Sequence, residues 1–368
     1  MKIGTLTFHR ADNYGALLQS YALYKKLKNL GHEARILDYR SHEIEKAYYK
    51  CKYLPHIDKN ILRWCWRLFR NFFIVPKLNK KRKKCHKFRD KYFQMTESVL
   101  TKEDRKKVEN EFDLILTGSD QIWNPEITGG KDDWYCFKRS DGKAKVAAFA
   151  ASVGSLQNFK EVFPKYKDDL NKYDAISVRE TDIYEFLKEN IQAPVVNIID
   201  PVFLLDKKEW DELALCPIKE KYLFYYDVEK NPVSYTLARK IAKEENLLLV
   251  HFDSKYFYEK GFMANAGPEE FVGLIRNAEY VVTSSFHATA FSIIYRKKFI
   301  SAIHPTTGAR VRSLLTNLGL ENRIVECVED FKGFSDKFTN VDDCLKSQRK
   351  NQEIYLKEVF NLCQTKKN

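Results

Sequence analysis

A series of short apolar runs, each closed by a polar cluster, constrains this chain's fold more than any other feature. They are FDLILT before Gly118-Ser119-Asp120, KVAAFAA before Ser152-Val153-Gly154, DAISV before Arg179-Glu180, VVNII before Asp200-Pro201, and YVVT before Ser284-Ser285. A run that is apolar on both faces fits a strand buried between two helical layers, the habitat of parallel sheets. The chain also opens strand, helix, strand. Lys2 to Phe8 is the first strand, Leu17, Leu18, Tyr21, Leu27 and Leu30 recur at helical spacing with Gly31 past the end, and Glu33 to Tyr39 is the second strand. This pattern predicts an α/β fold built on parallel sheets. Polar residues at successive strand ends then collect along one edge, where open α/β sheets bind ligands.

The same grammar recurs in the second half: a strand at 221–226, helix 233–245, strand 247–252, helix 268–277, a strand entering Ser284-Ser285, strand 299–303 and helix 309–318. Between the halves, LLDKKEWDELALCPIKE (204–220) is polar and contains Pro217, so the boundary belongs there. The expected architecture is two Rossmann-like domains facing across a cleft. The N-terminal domain spans 1–205 with a basic, aromatic helical insertion at about 41–107, and the C-terminal domain spans 221–341. A last helix and tail, 342–368, cross back to brace the first domain.

The net charge of +13 arises from 63 Lys and Arg against 50 Asp and Glu. It is concentrated in KLNKKRKKCHKFRDK (77–91), which follows ILRWCWRLFRNFF, where Trp64, Trp66, Phe69, Phe72 and Phe73 alternate with Arg63, Arg67 and Arg70. Two readings of 63–91 stand: aromatics packed on the domain with charges in water, or a peripheral contact with an anionic membrane. No recognisable nucleic-acid motif accompanies the charge, so nucleic acid is not an expected partner. The eight cysteines, Cys51 among them, form no CxxC pair and match no histidine spacing, which predicts inert thiols and no metal site. There is no apolar run of membrane-spanning length, and MKIGTLTFHR lacks a signal-peptide core. The chain is expected to stay in the cytoplasm.

Site chemistry centres on Tyr280 to Phe291, YVVTSSFHATAF. A strand-to-helix turn at 283–287 offers free N–H groups and a helix dipole to an anion, Ser284 and Ser285 as caps or hydroxyl donors, and His287 as a group that transfers protons near neutral pH. The competing reading is a capped turn with a satisfied core histidine. Asp120 lies in a loop with Gln121, Trp123 and Asn124, groups suited to sugars, and is either a base or a backbone cap. Arg179 and Asp200 stand at strand ends. The turn holding Asn13, Tyr14 and Gly15 has the Asn and Gly needed to bring backbone close to a ligand, with a plain capped turn as the competing reading; it is neither GxGxxG nor a P-loop, so it calls for no nucleotide.

FHRADNYGALLQSYAL, LTGSDQIWN, AISVRE, IDPVFLL and VTSSFHATAFSIIYRKKF, in this order and spacing, resemble the polysaccharide pyruvyl transferase family. The resemblance runs to about Arg323 and is weakest over 41–107 and the tail. It implies a fold like that of two-domain GT-B-type glycosyltransferases, phosphoenolpyruvate as co-substrate with no cofactor or metal, and a sugar hydroxyl pair as acceptor. The product would be a pyruvate ketal on a surface polysaccharide or its lipid-linked precursor, which would place the enzyme at the inner face of the membrane. By the same resemblance, Arg179 and Arg310 hold the donor, His287 is the acid/base and Asp200 shapes the cleft. The reading of the residues adds Ser284 and Ser285 at the donor, Asp120 as a second catalytic group, and Asn13, Tyr14, Gln121, Trp123 and Asn124 as acceptor or cleft contacts. The departure is Ser285, where many members carry arginine; Arg310, Arg312 or the helix N-terminus must supply that charge. Two other functions remain: a nucleotide-sugar-dependent glycosyltransferase, and a non-catalytic glycan-binding protein.

Overall fold

The structure, a computed structural model, describes residues 1–49, 60–99, 101–140, 142–229, 231–303, 308–335 and 337–364. Cys51, parts of the expected insertion and the last four residues lie outside the described residues. Among the described residues the strands form two sheets, and every pairing is parallel. The first contains β1 (Lys2–Leu6), β2 (Glu33–Tyr39), β3 (Met95–Val99), β4 (Leu114–Thr117), β5 (Lys145–Ala151), β6 (Ala175–Val178) and β7 (Val195–Asn197), in the order 3-2-1-4-5-6-7. The second contains β8 (Tyr222–Tyr226), β9 (Leu248–His251), β10 (Tyr280–Thr283), β11 (Lys298–Ala302) and β12 (Ile324–Val325), in the order 12-11-10-8-9. Each sheet has helices on both faces, as the continuous apolar runs require: all four residues of β4 and of β6 are buried.

In each sheet the strand order reverses once, between β1 and β4 and between β8 and β10. Loops leaving the carboxyl ends on either side of such a reversal splay apart and leave a crevice. The two crevices face each other, so the chain is an α/β protein of two Rossmann-like halves with four loops converging on one place.

The region read as a helical insertion is only partly that. Met95–Val99 adds an edge strand beside β2, and Lys102–Glu111 is a helix with a full capping box at Thr101 and Asp104. Polar MTESV shows little alternation, because an edge strand has one neighbour and weak burial. What remains distinctive is the 32-residue helix Ile61–Tyr92. Its second half turns some of its charges inward while Lys80, Lys83, Lys87 and Lys91 stay exposed. Lys77 Nζ donates to the Phe262 carbonyl (2.8 Å), Lys84 pairs with Glu270, and the buried Arg89 Nη1 donates to Asp12 Oδ1 (3.0 Å). Part of the basic run thus straps the first half to the second.

The boundary segment is likewise not a solvated linker. Trp210 is fully buried, its Nε1 donates to Val202 O (3.0 Å), and its ring meets Tyr21 at 5.7 Å and Phe291 at 4.8 Å. A large aromatic plug between helices of both halves makes their apolar contact continuous. Across the same interface Tyr14 stacks on Phe271 (4.6 Å, 6°) and its hydroxyl donates to Ala266 O (2.9 Å). The last helix, Val341–Gln364, packs on the first half: Tyr355 Oη donates to Ala148 O in β5 (2.6 Å), and Gln352 Nε2 to Ile199 O and Asp200 O (2.8 and 3.1 Å).

Candidate functional site

The loops after β1, β4, β8 and β10 enclose a cleft of about 210 Å³, smaller than the roughly 300–1,000 Å³ typical of drug-sized ligands. Two helix N-termini open onto it. Tyr14–Asn29 is capped by Asn13, whose Oδ1 accepts from Ala16 N (3.3 Å), and Phe286–Ile294 by Ser285, whose Oγ accepts from Ala288 N (3.4 Å). Both dipoles present their positive ends to the same small volume, and Arg310, half-buried on the helix Ala309–Asn317, adds a full charge. Among the described residues Arg310 has no ion pair. Burial and the neighbouring Arg179 push its pKa down. An anion in the cleft would relieve both.

His287 is the second residue of its helix rather than part of the turn, and it is wedged between the halves. A Cβ on Gly15 would lie 2.0 Å from His287 Nδ1, so only glycine lets the first helix approach the imidazole this closely. On the other side His287 Nε2 is 3.6 Å from Asp200 Oδ2, within ion-pair range and without a hydrogen-bond partner. Asp200 is fully buried and firmly held. Its Oδ2 accepts from Arg179 Nη1 (2.7 Å) and Ser119 Oγ (3.3 Å), and its Oδ1 from Val202 N (3.0 Å). Burial opposes its ionisation, yet His287 and Arg179 outweigh burial and hold the Asp200 carboxyl at about 2, below its ordinary 3.8.

Arg179 organises this layer. Besides Asp200, its Nε donates to Glu180 Oε1 (3.2 Å), its Nη2 stands 3.6 Å from Asp120 Oδ1, and its guanidinium lies 4.8 Å from the Phe286 ring centre. Burial would strip its charge, but Glu180, Asp200 and Asp120 keep it firmly protonated. For Glu180 the balance reverses: burial exceeds the pull of Arg179 and of its bond from Ser152 Oγ (2.6 Å), and its pKa is raised. Asp120 completes the ring with a left-handed backbone (φ 72°) that aspartate tolerates. Such conformations persist where the surroundings hold them, here through Gln121 N donating to Asp120 Oδ1 (2.9 Å) and Ser152 N donating to Asp120 O (3.0 Å).

Of the residues singled out in the sequence, Asn13, Asp120, Gln121, Ser284, Ser285, His287 and Arg310 meet at the cleft. Arg179 and Asp200 stand one layer behind its wall, in a separate cavity of about 10 Å³ shared with Arg310. Ser284 is spent on the loop: its Oγ donates to Asp227 Oδ1 (2.5 Å) and accepts from Val228 N (3.0 Å). Trp123 is not a sugar contact. It is fully buried, donating Nε1 to Tyr135 O (3.2 Å), because the short apolar turn after Asp120 folds inward. Asn124 caps Pro125–Thr128 and donates to Gln121 Oε1 (2.8 Å), so it acts on the cleft through Gln121. Tyr14 faces the second half, with Phe271, rather than the cleft. Arg312 pairs with Glu326 on the surface and does not replace the arginine missing at Ser285. Gly15, read in the sequence as bringing backbone close to a ligand, is a close-approach position, and its neighbour is the His287 imidazole. Sequence reasoning missed Tyr48, Tyr226 and Glu229 as cleft walls, and no local signal marks them.

A family model for polysaccharide pyruvyl transferase matches residues 13–303. No curated protein matches the chain. Among solved structures, the chain is similar to a putative UDP-N-acetylglucosamine 2-epimerase from Listeria monocytogenes (TM-score 0.49, 11% identity, covering 96% of this chain and 90% of that one). It is also similar to the UDP-GlcNAc 2-epimerase of Methanocaldococcus jannaschii (0.46, 11%, 95% and 99%) and to a glycosyltransferase of Streptomyces sp. SF2575 (0.38, 10%, 96% and 96%).

The buried ring of charges has a testable pH signature. Asp200→Asn leaves Arg179 and His287 facing a neutral amide and should cost about 3 kcal/mol of stability at pH 7. Because the folded pKa of Asp200 is depressed, the stability it contributes is complete above its ordinary 3.8 and is lost as pH falls towards about 2. Urea denaturation should therefore show the gap between wild type and variant closing across that interval; a gap independent of pH contradicts the assignment.

Proposed function

The chain belongs to the polysaccharide pyruvyl transferase family, and we propose that it moves the enolpyruvyl group of phosphoenolpyruvate onto two hydroxyls of one sugar, forming a pyruvate ketal. The observation that carries this reading is His287, fixed between Gly15 and Asp200 at the rim of a small cleft furnished with Arg310 and two helix N-termini. A three-carbon donor carrying a phosphate and a carboxylate suits that volume and that positive field.

The chemistry divides among the residues as follows. Arg310 and the N–H groups of Tyr14, Gly15, Phe286 and His287, in the first turns of the two helices, hold the donor's anionic groups, which supplies positioning and electrostatic stabilisation. His287, protonated, gives its proton to the vinyl CH₂ carbon, which becomes the methyl group. The adjacent carbon acquires cationic character and is attacked by one sugar hydroxyl. The C–O bond to phosphate then breaks with its electrons leaving on phosphate, and the second hydroxyl closes the ketal. Asp120, on the cleft wall, accepts each hydroxyl proton as its C–O bond forms and passes one back to His287 and the other to the departing phosphate. Asp200 and Arg179 are positioning residues: the ion pair between them aims a carboxylate at His287 Nε2. No step requires a metal, and phosphoenolpyruvate is a co-substrate rather than a resident cofactor.

The acceptor is a sugar of a surface polysaccharide or of its lipid-linked precursor, and the enzyme works peripherally at the inner face of the membrane. Support comes from the first half of the helix Ile61–Tyr92. Leu62 is 78% exposed and Phe72 70%, Ile61, Trp66 and Phe69 are exposed as well, and Arg63, Arg67 and Arg70 lie among them. Apolar tips flanked by arginines fit the boundary of an anionic bilayer. No helix of the described residues is long and apolar enough to cross a membrane.

Two measurements test this reading. Phosphoenolpyruvate at a hundred times its dissociation constant should stabilise wild type by about 2.7 kcal/mol, a Tm rise of a few degrees. Arg310→Ala should abolish that rise, and His287→Gln should lower kcat by about 10²–10⁴-fold. A shift with nucleotide sugars in place of phosphoenolpyruvate would overturn the donor. On vesicles containing anionic lipid, wild type should co-sediment and a Leu62→Ser/Phe69→Ser/Phe72→Ser variant should not; retained binding by the variant would contradict the membrane contact.

A further inference from the structure

A second cavity, of about 850 Å³, opens between the long helix Ile61–Tyr92 and the carboxyl ends of β8 and β9, and nothing in the reaction just described uses it. Tyr226 and Val228 line both it and the cleft of His287, so the two spaces share a wall. It is several times too large for a three-carbon donor. One side is formed by Trp66, Arg70 and Lys81 of the long helix, the other by Tyr226, Phe252 and Tyr256.

The lining carries two carboxylates and three cations, and both carboxylates accept hydrogen bonds from within the protein. Asp227 accepts from Ser284 Oγ and Glu229 N at one oxygen (2.5 and 2.8 Å) and from Tyr225 Oη and Ser234 Oγ at the other (3.1 and 2.9 Å), and Asp253 accepts from Lys255 N (2.8 Å). Its cations lie over aromatic rings: Lys81 Nζ 4.1 Å from the Tyr14 ring centre, Arg70 Cζ 5.5 Å from Trp66, Lys255 Nζ 5.1 Å from Tyr256. The Arg70 Nε is buried and makes no hydrogen bond. Tyr256 is itself braced by face-to-face stacking on Tyr235 (3.7 Å, 5°), whose hydroxyl donates to Glu259 (2.8 Å). Rigid aromatic faces suit the apolar face of a pyranose ring, and arginine and lysine beside them suit a phosphate.

We propose that this cavity is a binding site for a glycosyl phosphate, the part of the acceptor that does not react, and that it presents the sugar's hydroxyls across Tyr226 to the cleft of His287. The proposal rests on the pyruvyl-transfer reading and adds where the acceptor sits and which chemistry holds it. The phosphate meets Arg70, Lys81 and Lys255; the sugar rings lie against Tyr256 and Trp66. Trp66 also belongs to the exposed apolar face of the long helix, so a chain attached to the phosphate leaves along Phe69 and Phe72.

The test uses the full chain in isothermal titration with the 1-phosphates of glucose, galactose, N-acetylglucosamine and N-acetylmannosamine, their decyl phosphodiesters, and inorganic phosphate. At least one glycosyl phosphate should bind ten-fold or more tighter than inorganic phosphate, and Tyr256→Ala and Lys81→Gln should each weaken it ten-fold or more. Both variants should keep the thermal shift given by phosphoenolpyruvate, which also reports that they fold. A decyl ester that binds at least ten-fold tighter than its parent, with the gain lost in Trp66→Ala, assigns the ligand to a lipid carrier; equal affinities assign it to a soluble sugar phosphate. If no glycosyl phosphate exceeds inorganic phosphate, or the variants bind as wild type does, while phosphoenolpyruvate still stabilises the protein, the proposal is overturned and the donor assignment stands. If phosphoenolpyruvate itself fails to stabilise wild type, the pyruvyl-transfer reading fails.

Discussion

The approach of Gly15 to the His287 imidazole is the contact on which the rest of the site depends. It brings the first helix of one half against the first turn of a helix in the other, with no room for a methyl group between them. Two consequences follow from that proximity. Both helix N-termini deliver their partial positive charge to the same 210 Å³, and the imidazole is pinned so that its other edge meets Asp200. Tyr14 on Phe271 and Trp210 between Tyr21 and Phe291 supply the apolar contact that keeps the halves this close.

Burying Arg179 with Asp120, Glu180 and Asp200 is costly in desolvation, and such a cluster is weak evidence for stability by itself. Its geometry is better explained by the task of fixing one carboxylate beside one histidine. Arg179 sits at the end of β6 and Asp200 three residues after β7, so adjacent parallel strands set their separation. The same economy appears in the basic run. Lys77, Lys84 and Arg89 are tied to the protein and Lys81 lies over Tyr14, while the first half of that helix exposes aromatic residues.

Much of the architecture was legible because parallel strands buried on both faces write themselves as unbroken apolar runs; β4, β5, β6 and β10 are read directly from FDLILT, KVAAFAA, DAISV and YVVT. β3 and β12 were not, since an edge strand with polar residues and a two-residue strand carry no periodic signal. His287 and Asp120 were legible as candidate site residues from their place beyond strand ends, and Arg310 only through the family resemblance. Burial was not. Trp123 reads like a sugar platform and is core, Arg179 reads like a ligand anchor and lies behind the wall, and nothing local marks Tyr48 or Tyr226, which come to the cleft only through tertiary packing.

The central claim is that donor binding requires the close seating of His287 on the first helix. Adding a single methyl group at position 15 probes it with minimal change of chemistry. A Cβ there would stand 2.0 Å from Nδ1, a distance no real contact allows, so the imidazole or the helix must shift. Titration calorimetry of phosphoenolpyruvate with wild type and Gly15→Ala, both shown folded by circular dichroism, is the direct measurement. The account predicts binding by wild type and at least a ten-fold loss in the variant. Equal affinity in the two proteins would contradict it.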